Sequence, residues 1–382
     1  MSEPKATSSS KLRAAVIGLG PVGGQVFQAL LEIDDVEVVG VSDRRGSRAE
    51  EFGRAKGIAH FADNRSLLAE SKPEVVFVSI PPMQFPELLT ACAQRSVHIW
   101  KDMPLARSLD EAAAMVRRME KASCKIAVGT QWRYEGGYSR ALALRPQLGH
   151  VFLCRAHYLF NWGPNLGWRT DKASAGGGVL LELAYHPIDL LTQLMGLPEE
   201  VFGCNVGGFR PDLADADAQP VPPYDTDDTA ASILRYKQAA MASVVCTRSS
   251  GPVSQELCLH GQHGSLASSA ESCLMRGPDG NVLESFTVER PTPQKAYQAM
   301  VADFCQAILH DQQIYPCSGR ENLLNHAVVD ALYLANRTAH PESPAKLLEN
   351  CKFDEAACLI HSHRPLDHAG PGDQDFLPCE ED

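Results

Sequence analysis

No stretch of this 382-residue chain approaches the ~20 consecutive apolar residues that a membrane-crossing helix requires, so no membrane partner is expected. Cysteine never occurs as a Cys-x-x-Cys pair. The twelve cysteines are scattered, which argues against a zinc ribbon, a redox motif or a disulfide scaffold and favours a reducing, cytoplasmic compartment. Positive charge is scarce: 35 Lys and Arg stand against 47 Asp and Glu, a net charge of -12. That balance disfavours nucleic acid and anionic membrane surfaces as partners. The opening MSEPKATSSSKLR has no apolar core of the kind secretory signals carry, and residues 1–10 read as a polar tail. No internal repeat is found.

What is present is ordinary for a globular protein, with 44% hydrophobic and 21% charged residues. The length suits about two domains. Short apolar runs, RAAVIG (13–18), VEVVGVS (36–42), EVVFVSI (74–80), VHIW (97–100) and KIAVG (125–129), alternate with segments whose apolar residues recur three and four apart. Val- and Ile-rich runs without polar alternation suit a parallel sheet covered on both faces. Residues 11–129 are therefore expected to form a doubly wound α/β domain. Beyond it, GHVFLCRAHYLFNW reads as a strand, GGGVLLELAYHPIDLLTQLMG as one long helix, and TAASILRYKQ with AAMASVVCTRSS as an antiparallel pair. Residues 130–345 are expected to form an α+β domain with one mainly antiparallel, open-faced sheet. The segment 207–228 reads as a Pro/Asp-rich loop and 346–382 as a surface extension.

Within RAAVIGLGPVGGQVFQALL, Gly18, Gly20 and Gly23 stand at GxGxxG spacing between a strand and a helix, and Asp43 ends the next strand 20 residues past Gly23. In that context the pattern points to a dinucleotide. Gly18 allows the tight turn, Gly20 lets a pyrophosphate approach the backbone, and Gly23 lets helix and strand close-pack. Pro21 and Val22 open the helix whose N-terminus would face the phosphates. Asp43 would accept the ribose hydroxyls, which favours NAD. Arg44, which follows, leaves NADP open, since an arginine there can meet a 2′-phosphate.

Glu182, His186 and Asp189 fall at i, i+4 and i+7 of the expected long helix, on one face. A carboxylate beside an imidazole orients it, and histidine's pKa near ~6.5 suits a group that takes and returns a proton. A satisfied polar interior trio fits the same spacing. A metal half-site would also fit, but no third ligand is in view and no metal is expected.

With the glycine turn, Pro81–Pro82, MPLARS and GGGVLLELAYHPIDLL together, the chain resembles the glucose–fructose oxidoreductase / inositol dehydrogenase / MocA family from about Leu12 to Pro344. The resemblance implies an N-terminal Rossmann domain bound to NAD(H) or NADP(H) and a second domain whose open sheet makes a homodimer or homotetramer. It also implies hydride transfer at a carbinol carbon of a sugar, cyclitol or glycoside-like small molecule. His186 matches the family's proton acceptor, and Glu182 lies where the family usually has Asp. Ser79, Pro81 and Pro82 match the loop beside the nicotinamide.

One position departs from the pattern. His98-Ile99-Trp100-Lys101-Asp102-Met103-Pro104 aligns with a strand that ends Glu-Lys-Pro, so Asp102 replaces the Glu and Met103 the catalytic lysine. A thioether has neither proton nor charge to give. Lys101, two residues back on the same strand face, is a candidate catalytic substitute or else a solvated strand-end charge. Asp102 and Met103 are expected near the cofactor. Arg133, His157, Trp162, Trp168, Arg169 and Asp189 are candidate substrate contacts. Loss of the lysine leaves three readings open: a dehydrogenase served by His186, a reductase of a less polar ligand, and a dinucleotide-binding sensor without turnover.

Overall fold

A computed structural model describes residues 11–163, 166–207, 224–288 and 293–359. The expected N-terminal tail, most of the segment 207–228 and residues 360–382 lie outside these.

One sheet holds β1 (Leu12–Ile17), β2 (Val36–Ser42), β3 (His60–Phe61), β4 (Val75–Val78), β5 (His98–Asp102) and β6 (Ile126–Gly129), linked through α1 (Pro21–Leu31), α2 (Gly46–Lys56), α3 (Asn64–Glu70), α4 (Phe85–Ala93) and α5 (Leu109–Lys121). The strands are parallel in the order β3-β2-β1-β4-β5-β6. The order reverses between β1 and β4, the switch point at which open α/β sheets bind ligands beyond their strand ends. Val75, Val76, Phe77 and Val78 are all buried, as expected of a central strand covered on both faces. Five of the six strands are legible as apolar runs; β3 has two residues and leaves no pattern. In α5, Ser108 caps the N-terminus by accepting from the Glu111 amide, with Asp110 and Glu111 in the first turn and Arg118 and Lys121 in the last. Each charge thus opposes the helix dipole at its own end.

The second part contains α6 (Gly136–Leu144), β7 (Val151–Asn161), α7 (Lys172–Ala175), α8 (Val179–Glu182), α9 (Tyr185–Met195) and the strands β8 (Glu200–Gly207), β9 (Asp227–Tyr236), β10 (Ala240–Thr247), β11 (Ser249–Gly261), β12 (Gly264–Ser268), β13 (Ser272–Arg276) and β14 (Val282–Thr287). These eight strands form one sheet, β14-β13-β12-β11-β7-β10-β9-β8, antiparallel except where β10 runs parallel to β7. Along β9 the inward residues Ser232, Leu234 and Tyr236 are buried while Ile233 points outward and is exposed. The same open face leaves Phe202, Val206, Met241 and Val245 exposed.

Three expectations need correction. The long helix over 176–196 is two helices, because Pro187 has no N–H to donate to Leu183 and its ring crowds that carbonyl. The chain turns at Leu183–Ala184 and restarts as α9. The stretch 130–345 is not one continuous unit. The helix α10 (Pro293–Leu309) returns to the first domain and packs Tyr297, Met300, Val301 and Phe304 with Val26 and Phe27 of α1, and Val128 of β6 donates to the Cys317 carbonyl at 2.8 Å. Finally, the part of 346–382 that is described is not a surface extension. Beyond α11 (Gly319–Thr338), the helices α12 (Pro344–Asn350) and α13 (Glu355–Leu359) bury Leu348 and Cys358 completely. Among the described residues no helix is long and apolar enough to cross a membrane.

Candidate active site

The turn between β1 and α1 is built for close approach. Gly18 has φ +84°, and a Cβ there would lie 2.3 Å from the Ser79 carbonyl oxygen. A Cβ on Gly23 would lie 1.8 Å from the Gly18 carbonyl oxygen, so both positions require glycine. Gly20 is different. A Cβ there meets nothing within 4 Å, and as the N-cap of α1 it makes no side-chain cap bond. The first-turn amides of α1, beyond Pro21 and beside the half-buried Val22, thus face open space with the positive end of the helix dipole. Asp43 accepts from the Leu19 amide at 2.9 Å and from the Arg45 amide at 2.8 Å, which fixes its carboxylate beside the turn. Arg44 is exposed. Ser79 closes the β1–β4 edge by donating its amide to Ile17 at 2.8 Å, and Pro81 leads into a short turn from Pro82.

At the end of β5 the structure settles where Lys101 goes. It is no solvated charge: its side chain is fully buried. Its Nζ donates to the carbonyls of Asp102 at 2.6 Å and Pro104 at 3.5 Å and lies 5.6 Å from the Phe85 ring centre. Burial lowers its pKa from 10.5 to about 8, against the pull of Asp102. Met103 is half-buried and packs against the large core shared with the second part. Burial pushes Asp102 up to about 6, while Lys101 and Arg169 oppose the rise.

The depressed Lys101 value has a consequence for stability. The unfolded chain holds a proton that the folded protein releases between about pH 8 and 10.5, so the cost of this lysine is full below pH 8 and fades as pH rises. The stability of Lys101→Met relative to native is expected to fall by about 3 kcal/mol between pH 7 and pH 10.5. Paired denaturant titrations across that range measure it, and a difference independent of pH would refute it.

His186, on α9, is 6% exposed. Its ring stacks on Trp132 at 5.2 Å and 11° and meets the edge of Tyr158 at 6.1 Å. Its Nδ1 has no hydrogen-bond partner among the described residues. Burial lowers its pKa to about 4, with Asp189 opposing, so the imidazole is neutral at physiological pH.

The flanking carboxylates do not orient it directly. Glu182 accepts from Arg169 Nε at 2.5 Å, and burial pushes it up to about 7 against Arg169. Asp189 takes both ends of Arg133, with Nε to Oδ2 at 2.6 Å and a second bond from Nη2 to Oδ1. Arg133 Nη1 also reaches Glu321 at 2.6 Å, and Asn325 donates to Asp189 at 2.7 Å. The Arg133 side chain is 8% exposed and that of Asp189 0%. Both were expected at the substrate; they instead form a buried tie between the turn that follows β6 (Gln131–Tyr134), α9 and α11.

The remaining candidates divide. Trp162 and Trp168 hold the Arg169 guanidinium between them, at 4.2 and 4.5 Å from its central carbon. His157 bonds Ser254 across the sheet at 2.8 Å and lies opposite Val245. It therefore sits on the open face, away from Tyr158 and His186, because strand neighbours point to opposite sides. Lys172 lies over the Tyr333 ring at 5.7 Å.

Two titratable residues near Asp102 and Tyr158 escape the sequence reading. Glu135 has a buried Oε2 without a hydrogen-bond partner among the described residues, and burial pushes it up to about 7. Tyr297 of α10 is raised by burial and by the charges of Asp102 and Glu135. Neither belongs to a motif, and Tyr297 arrives from 160 residues away; only the return of α10 places it here.

Residues 12–130 match the family described as an oxidoreductase family with an NAD-binding Rossmann fold. Residues 138–267 match the GFO/IDH/MocA C-terminal domain. A putative UDP-kanosamine synthase oxidoreductase subunit of Amycolatopsis mediterranei is 28% identical over 242 residues, 58% of this chain; the match spans 64% of that protein, just under two thirds. A myo-inositol 2-dehydrogenase of Thermotoga maritima is 26% identical over 236 residues, covering 61% of this chain and 67% of that protein. A solved levoglucosan dehydrogenase in complex with NADH and levoglucosan superposes with a TM-score of 0.76 at 21% identity, over 87% of this chain and 99% of that one.

Proposed function

This chain belongs to the GFO/IDH/MocA family of NAD-binding oxidoreductases, and on that premise we propose that it transfers a hydride to or from a carbinol carbon of a sugar, cyclitol or glycoside-like substrate. In this reading His186 accepts and returns the proton, and Met103 stands where the family lysine would be. The observation that carries it is the neutral His186 ring, held flat on Trp132 with an unpartnered Nδ1.

The glycine turn fits the cofactor: the uncapped amides of α1 and the open space over Gly20 suit a pyrophosphate. Gly18, Gly20, Pro21, Val22 and Gly23 would hold it, with Ser79, Pro81, Pro82, Asp102 and Met103 toward the reacting end. Asp43, fixed by two backbone amides, would accept the ribose hydroxyls and repel a 2′-phosphate, which supports NAD over NADP. When bound, the dinucleotide supplies the acceptor or donor of the hydride. The chain's own task is to orient the hydroxyl and carry its proton, which the buried imidazole does without first losing one. The exposed apolar face with Phe202, Ile233, Met241 and Val245 supports assembly as a homodimer or homotetramer.

A second reading is a dinucleotide-binding sensor without turnover. It is favoured by one observation: the remaining lysine of the strand, Lys101, is turned into the protein onto two carbonyls. Absorbance at 340 nm with NAD and NADP, over sugars, cyclitols and aryl glycosides, separates the two. NAD-dependent turnover of at least one substrate is expected. Dinucleotide binding with no turnover across the panel would leave the sensor.

A further inference from the structure

Removing a carbinol proton and then its hydride puts transient negative charge on the reacting oxygen, and a site that lowers that barrier needs fixed positive charge or donors aimed at it. His186 is neutral, and Met103 brings neither charge nor proton. Lys101 is buried and gives its Nζ protons to the Asp102 and Pro104 carbonyls. The cation that faces both carboxylates of the site is Arg169: it opposes the pKa rise of Asp102, next to Met103, and of Glu182, four residues before His186.

Arg169 is also held as a positioned group would be. Trp162 and Trp168 pack on it at 4.2 and 4.5 Å, which restrains the plane of the guanidinium. Glu182 takes Nε at 2.5 Å. Among the described residues the two terminal nitrogens have no hydrogen-bond partner. One face of each indole is thereby taken by a cation of the protein. The arrangement leaves a half-buried, stacked guanidinium with two donors still to give.

We infer that Arg169 is a catalytic residue, whose terminal nitrogens donate to the reacting oxygen and supply the positive charge absent at Met103. The inference rests on the dehydrogenase reading above. In the oxidative direction the O–H bond gives its proton to His186, the C–H bond gives its hydride to the nicotinamide, and a carbonyl forms. Arg169 donates hydrogen bonds and positive charge and transfers no proton. Charge stabilisation and proton transfer, which one lysine can combine, are here divided between two side chains.

The test uses full-length native protein, Arg169→Gln, Arg169→Lys, Met103→Lys and the double variant Arg169→Gln/Met103→Lys. Four quantities are read: kcat and KM on a substrate found in the 340 nm panel, NADH affinity by tryptophan quenching, and thermal midpoint. Arg169→Gln is expected to lose about 10²–10³ in kcat, with NADH affinity within about twofold of native. Met103→Lys in that background is expected to restore at least about tenfold, because a cation returns to the site. If Arg169→Gln is unfolded at assay temperature, Arg169→Lys takes its place and must keep at least about a tenth of native kcat. A change confined to KM, or a kcat loss that Met103→Lys does not reverse, would overturn the assignment. Either result in an active native enzyme strikes Arg169 alone. A native protein with no turnover removes the dehydrogenase reading and this inference together.

Discussion

His186→Ala is expected to lower kcat by about 10²–10⁴ while leaving NADH affinity within about twofold. The ring is the sole group in the reading above that moves the substrate proton, and it lies on α9, separate from the glycine turn that would hold the dinucleotide. Its folded pKa of about 4 keeps it neutral, and so able to accept, at every pH from mildly acid upward. Truncation leaves Trp132 and Tyr158 facing a void without disturbing Gly18, Gly20 or Asp43. Stopped-flow and steady-state absorbance at 340 nm, beside fluorescence titration with NADH, separate the two quantities. A variant that keeps more than about a tenth of native kcat would remove His186 from the mechanism and return attention to Glu182 and Asp102, whose burial holds them near neutrality.

Arg133→Ala is expected to cost about 3–5 kcal/mol of stability. The arginine sits between Asp189 and Glu321, which are 0% and 1% exposed at their side chains, and its removal leaves two buried carboxylates unopposed. Most proteins have only about 5–15 kcal/mol in hand, so the loss is a large fraction of the whole. Guanidinium titration at pH 7.5 measures it directly. The triple variant Arg133→Met/Asp189→Asn/Glu321→Gln, which discharges the cluster together, is expected to recover more than half of the loss. A loss below about 1 kcal/mol in the single variant would mean that water reaches the carboxylates. The tie also bears on function. Trp132 beside Arg133 carries the face on which His186 stacks, and Asp189 lies three residues past His186 on the same helix. Arg133→Ala should therefore lower kcat even at temperatures where it remains folded.

Much of the architecture was legible because its determinants are local. A strand buried on both faces must be apolar along its length, so β1, β2, β4, β5 and β6 announce themselves as Val- and Ile-rich runs. A backbone that approaches to the distances found at Gly18 and Gly23 excludes any side chain, so those glycines mark the turn. The split of the GGGVLLELAYHPIDLL helix was legible too, in Pro187, but a heptad-like face of Glu182, His186 and Asp189 outweighed it. Pro187 ends the helical run ahead of it and so detaches Glu182 from His186 and Asp189.

Local pattern did not reach the partners of the charged groups. Asp189 is three residues from His186, yet its hydrogen bonds go to Arg133 and Asn325. Glu182 turns to Arg169 rather than to the histidine one turn on. Lys101 reads as a strand-end charge and is instead among the most deeply buried side chains. The two carboxylate outcomes depend on which element supplies the partner: the turn after β6 with Arg133, α11 with Asn325, and the turn that carries Arg169.

By itself, then, the sequence determined the doubly wound domain, the dinucleotide turn, the family and the absence of a lysine at 103, all of which follow from residue type and short-range spacing. Only the tertiary structure decided which charges are neutralised, which are buried and which still have donors to offer. Those properties are set by desolvation and by pairing between residues 13 to 188 positions apart, and no local window contains them.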